Sequence, residues 1–225
     1  MTTAPRAPQL PVKPRLRGWI HFWSFGGSVA AGAALVTVAA TTVSGGAALT
    51  TAVYAATLCG LFGISALYHR RNWASPRTEY WIKRLDHSMI FLFIAGSYTP
   101  FATLAVPPRT GTTVLLVVWG GALAGVALKL LWIGAPRWLS APLYLALGWV
   151  AVFVVPDLRA LAGPATLALI LAGGVLYTLG GVTYALRWPD PWPRTFGFHE
   201  IFHTTTVLAA ICHYTAVWLT LYAAT

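Results

Sequence analysis

Apolar residues run through this chain in long, almost unbroken blocks. Stretches of roughly 20 residues rich in Leu, Ala, Val and Gly recur from end to end, each the length an α-helix needs to cross a ~30 Å hydrocarbon core. A transmembrane barrel would show alternating segments of about 10 residues instead, so the pattern excludes one. Inside lipid each backbone polar group must find its partner within its own helix, which leaves a helical bundle. The blocks predict seven helices over 18–42, 47–69, 84–105, 112–134, 138–156, 165–187 and 198–223. Between them stand the breakers Ser44-Gly45-Gly46, Pro76, Pro107-Pro108, Pro136, Pro156 with Pro164, and the stretch Trp188–Pro193. The expected fold is all-α, a polytopic membrane protein with one seven-helix domain over 18–225. Gly121, Gly125 and the glycine pairs at 173–174 and 180–181 are expected to let helices approach closely.

Composition agrees. Hydrophobic residues make up 57% of the chain and charged residues 9%, against about 25% charged in a soluble domain. The net charge of +10 raises nucleic acid as a partner. Its distribution argues against that, because the basic residues sit in short clusters beside apolar spans, where they set orientation and meet anionic headgroups. Membrane lipids are the expected partners. Residues 1–17 carry Pro5, Pro8, Pro11 and Pro14 with Arg6, Lys13, Arg15 and Arg17, and predict a flexible proline-rich tail. The apolar stretch that follows is longer than the core of a signal peptide, so it reads as an uncleaved first helix. With a cytoplasmic N-terminus, all of the 15 lysines and arginines except Arg109 and Arg159 fall on the inner side. That is a strong positive-inside bias. It supports a multi-pass protein of the cell membrane, in a bacterium the plasma or inner membrane. Cys59 and Cys212 fall in mid-span and read as small buried hydrophobes.

The polar residues that hydrocarbon rejects carry the chemistry. His69 ends the second span, Asp86 and His87 begin the third, and His199 and His203 begin the seventh. Alternating topology therefore brings residues distant in sequence to one depth on the cytoplasmic side. His199 and His203 are four apart and share a helix face, the spacing by which a helix offers two imidazoles to one metal. Ser65 shares the face of His69 in the same way. Three imidazoles with an open fourth position are the donor set of a catalytic zinc, whereas a structural zinc fills all four positions. The expected metal ligands are His69, His199 and His203, and Asp86 either takes the fourth place or holds a metal-bound water. Hydrogen bonds to carbonyls or headgroups would explain any one of these histidines, but not three at one depth. His199-Glu200-Ile201-Phe202-His203 also spells the H-E-x-x-H pattern of zinc peptidases, in which the glutamate is the general base. No later span supplies a third acidic ligand, so a peptidase is disfavoured. His213 falls on nearly the same face about 20 Å further along the helix, too deep for the same ion but placed to face the interior. Interface packing accounts for His21, and His87 is either a partner of Asp86 or surface-exposed.

Four ordered motifs then resemble the hemolysin III family, the bacterial branch of the progestin and adipoQ receptor group. They are Ser65-Ala66-Leu67-Tyr68-His69, Arg84-Leu85-Asp86-His87-Ser88, Ala95-Gly96-Ser97-Tyr98-Thr99-Pro100-Phe101, and His199-Glu200-Ile201-Phe202-His203 followed by Cys212-His213-Tyr214. The resemblance implies a seven-helix bundle, a cytoplasmic N-terminus and zinc held by His69, His199 and His203, with Ser65 and Asp86 near the metal. The acidic residue often found shortly before the motif serine has no counterpart, since Cys59 to Ile64 are uncharged. The wider group includes alkaline ceramidases, so the leading expectation is a zinc-dependent hydrolase of lipid amide or ester bonds at the cytoplasmic face. Asp86 or Glu200 would take up the proton and Ser65 would steady the oxyanion or the water. The alternatives are a non-enzymatic regulator or lipid sensor with structural zinc, and a cytolytic protein, which only the family name suggests.

Overall fold

Among the described residues seven helical stretches build the fold, and each corresponds to one predicted span. The computed structural model describes residues 14–132, 134 and 136–225. The predicted tail lies outside the described residues as far as residue 13. The helices are α1 (Trp19–Val38, prolonged by a π turn Ala39–Val43), α2 (Gly45–Arg70), α3 (Pro76–Leu104), α4 (Pro108–Leu131), α5 (Arg137–Gly148), α6 (Val155–Leu161), α7 (Gly163–Leu186) and α8 (Phe198–Ala223). A 3-10 segment, Trp149–Val154, joins α5 to α6. Six stretches are long and apolar enough to span a membrane, with Leu139–Leu161 counted as one. The seventh is α3, whose first turns carry Arg77, Glu79, Lys83, Arg84 and Asp86.

Neighbours in sequence are mostly neighbours in space. The chain packs α1 on α2, α2 on α3, α3 on α4 and α7 on α8, and α8 closes the bundle against α1 and α3. The least apolar helix is thus among the most enclosed: Ala95 through Ala102 of α3 are all buried. Close approach is possible where a glycine faces a large neighbour. A Cβ on Gly125 would stand 2.4 Å from the Phe91 ring, and one on Gly173 2.4 Å from the His213 ring.

Two boundaries differ most from the predicted ones, each for a local reason. The third helix starts at Pro76, eight residues before the predicted 84. The Ser75 hydroxyl caps it by accepting from the Thr78 amide at 3.4 Å. Proline at the first helical position loses no hydrogen bond, so Pro76 opens this helix where a mid-helix proline would break it. The fifth span runs to Leu161, past the predicted end at 156. Pro156 lacks an amide proton and interrupts the ladder, and the chain bridges the fault with the 3-10 segment. Tyr98 repairs it. Its hydroxyl donates to the Gly148 carbonyl at 2.5 Å and accepts from the Ala151 amide at 2.7 Å. An α3 side chain thereby satisfies two backbone groups that lipid cannot.

Tyr98→Phe leaves both groups unpaired. The expected cost is about 2 kcal/mol, seen as a lower midpoint in thermal unfolding of the purified protein in detergent. An unchanged midpoint would show that the fifth span needs no such support.

Candidate metal centre

Three imidazoles converge where α2 ends and α8 begins. His69 stands in the last turn of α2, and His199 and His203 in the first two turns of α8. The Nε2 atoms of His69 and His199 are 3.2 Å apart. One ligand atom from each of the three lies within 4.8 Å of the others. Two ligands bound to one tetrahedral zinc at ~2.0–2.1 Å are themselves about 3.3 Å apart. The His69–His199 edge already has that length, and a modest side-chain rotation brings in the third. His69 and His203 are buried and His199 is half-buried, so the cluster faces the bundle interior.

Asp86 stands beside the cluster, on α3. Its Oδ2 is 3.8 Å from His69 Nε2 and 3.8 Å from His87 Nδ1. Ser65, one turn before His69, is buried, and its hydroxyl reaches the Asp86 carboxyl. The predicted group of His69, His199, His203, Asp86 and Ser65 is therefore assembled.

Glu200 is not brought to it. Its Oε2 accepts from the Gly197 amide at 2.9 Å, capping α8 through N3. Its Oε1 accepts from Arg17 Nε at 2.5 Å, and the side chain is only 1% exposed. On a helix the residue after a ligand points about 100° away from it; here that direction leads to the tail, away from the histidines. Arg15 and Leu16 hold the same segment, donating their amides to the carbonyls of Arg194 and Thr195 at 3.1 and 3.2 Å. The end of the predicted tail is thus tied to the loop before α8.

His21, expected only to pack at the interface, joins the cluster. It is buried and stacks flat on His203, with ring centroids 3.8 Å apart and 2° between planes. Its depth at the start of the first span was the available signal. His213 lines the interior as expected, with Nε2 3.2 Å from the Ile170 carbonyl. Cys59 and Cys212 are free thiols.

The cluster sits at one end of a cavity of about 700 Å³. Leu61, Ile90, Ile94, Phe101, Val114 and Leu158 give its apolar wall, and His213 and Tyr177 mark its deeper part. A polar reacting end joined to a long apolar hollow suits a ligand that is itself part polar and part hydrocarbon.

The chain is similar to known proteins over most of its length. The family model described as Haemolysin-III related matches residues 10–214. The chain is 30% identical to the Hemolysin-3 homolog of Bacillus subtilis (strain 168) over 152 residues, which is 68% of each chain. It is 30% identical to Hemolysin-3 of Bacillus cereus over 151 residues, 67% of this chain and 65% of that one. The human monocyte to macrophage differentiation factor is 28% identical over 177 residues, 77% of this chain and 71% of its own.

The Arg17–Glu200 pair is expected to act on stability. Arg17→Ala strands a buried carboxylate and should cost about 3 kcal/mol, read as a fall in the thermal unfolding midpoint. Glu200→Gln keeps an acceptor for the Gly197 amide and should cost less. Equal losses would show that the stranded carboxylate costs nothing beyond the loss of the pair itself.

Proposed function

The chain belongs to the haemolysin-III-related family, and on that premise we propose that it holds zinc between His69, His199 and His203 and hydrolyses an amide or ester bond of a membrane lipid. The protein is multi-pass, and we place it in the plasma membrane with the histidine end facing the cytoplasm. One observation carries the reading: a carboxyl and a hydroxyl flank a three-imidazole cluster at the polar end of an apolar cavity.

Bound zinc would supply Lewis-acid polarisation of the lipid carbonyl and would ease deprotonation of water near neutral pH. The chain's own residues do the rest. Asp86 has an oxygen 3.8 Å from His69 Nε2 and is placed to take the proton of the attacking water. It would then return that proton to the departing amine or alkoxide. Ser65, on the neighbouring helix α2, is placed to steady the carboxyl. Glu200 is left out, because both its oxygens are engaged by Arg17 and Gly197. The apolar wall receives the acyl chain and keeps bulk water away from the reacting end.

The position of Asp86 also supports a second reading, a non-enzymatic regulator with structural zinc. A small rotation makes its carboxylate the fourth ligand and closes the site. A cytolytic role rests on the name of the Bacillus cereus relative alone.

Elemental analysis of the purified protein should find one zinc per chain, lost in the double variant His199→Ala/His203→Ala. Asp86→Asn should keep the metal and lower hydrolysis of acyl lipids by at least ~100-fold. Zinc-free wild-type protein would sink the proposal. Loss of zinc in Asp86→Asn, with wild type inactive on every acyl lipid offered, would establish the structural reading instead.

A further inference from the structure

The hydrolase reading makes no use of Lys129. It stands in the last turn of α4, 2% exposed, with its side chain turned into the cavity wall. Lysines near the end of a spanning helix ordinarily extend along it to bring the ammonium to the headgroups and water. This one turns inward. Its Nζ donates to the Ser140 hydroxyl on α5 at 2.5 Å and lies 5.9 Å from the centre of the Tyr144 ring. Among the described residues the carboxyls with basic partners are Glu200, held by Arg17, and Asp86, beside His69 and His87. Lys129 thus has no counter-charge, and an ammonium with three donors meets one hydroxyl. A buried cation is costly unless something pairs with it.

The same end of the cavity carries two further cations. Lys83 from α3 and Arg187 from the end of α7 line it and are exposed at its rim. Asp86 is the single carboxylate among the described lining residues, so positive charge exceeds negative by two. Neither Lys83 nor Arg187 forms an ion pair with a carboxylate among the described residues. Four elements therefore direct three cations and a hydroxyl toward one space, and the apolar hollow continues from it.

We infer that this end of the cavity is an anion subsite, built on Lys129 and Ser140 with Lys83 and Arg187 at its rim, that takes the phosphate of a lipid headgroup. A carboxylate would be satisfied by fewer donors; a phosphate, with several oxygens and up to two charges, matches cations arriving from separate helices. The subsite adjoins the reacting groups. Tyr144, beside Lys129, donates its hydroxyl to the His87 carbonyl at 3.3 Å, and His87 in turn lies 3.8 Å from Asp86. A lipid seated there by its phosphate would present a bond close to the headgroup to the histidine cluster. The inference rests on the reading of the cavity as a lipid site and narrows its ligand to phospholipids, since a ceramide or other neutral lipid has nothing to offer Lys129.

The test measures binding, not turnover, by native mass spectrometry of the full-length protein in neutral detergent. The probes are short-chain phosphatidic acid, diacylglycerol with the same acyl chains, and inorganic phosphate. Wild type should prefer phosphatidic acid over diacylglycerol by at least tenfold. Lys129→Met should abolish that preference, Lys129→Arg should retain it, and Arg187→Gln at the exposed rim should weaken it. If Lys129→Met fails to fold, the arginine variant and Arg187→Gln still decide. Equal binding of the two lipids by wild type, or an unaltered preference in Arg187→Gln and Lys129→Met alike, overturns the inference. Displacement of phosphatidic acid by an equal concentration of inorganic phosphate also overturns it, in favour of a free-anion site; displacement only at large excess supports the headgroup. The double variant His199→Ala/His203→Ala should keep the preference. Wild-type protein that holds no zinc and still prefers phosphatidic acid would remove the hydrolase reading and leave the subsite standing.

Discussion

Hydrocarbon offers no hydrogen-bond partner, and that single constraint shapes this protein. Each span must satisfy its backbone internally, so helix follows helix with short joints. A helix advances a fixed 1.5 Å per residue, so position along a span translates into depth. Polar side chains are then tolerated only where depth or enclosure shields them, and the histidines, Asp86 and most of the basic residues collect toward one end. The fifth span shows its force: at its irregular 3-10 segment a tyrosine hydroxyl from another helix pairs with the Gly148 carbonyl and the Ala151 amide.

The histidine end is steadied by the segment before α1 as well as by the packed helices. Glu200 caps the helix that carries His199 and His203, and Arg17 pairs with the same carboxylate. The residues leading into α1 are thereby fastened to the start of α8. His21, one turn beyond Arg17, stacks on His203 from that same first helix. The glutamate of an H-E-x-x-H pattern is a structural brace here, and the carboxylate beside the histidines comes from Asp86 on a different helix.

Charge at this end serves two ends that are easily confused. Arginines and lysines beside membrane spans set orientation, and most of those in this chain need no other explanation. Lys129 differs because it is enclosed and faces a cavity. The same residue type thus stands at the membrane edge at most positions and inside the cavity wall at this one, and burial is what separates them.

Much of this was legible in the chain alone. The seven helices, the common depth of His69, Asp86, His199 and His203, and the shared face of the α8 histidines all follow from run length and from periodicity, which are local and linear. Pro76 and Pro156 misled about boundaries, because a proline's effect depends on whether its missing donor falls at the first turn or within the ladder. What the chain did not disclose was direction around each helix axis and the partner found there. That decided that Glu200 turns to Arg17, that His21 lies flat on His203, that Tyr98 reaches the fifth span, and that Lys129 points inward. Rise per residue sets depth without reference to neighbours; rotation is settled only when helices pack, and so it belongs to the tertiary structure.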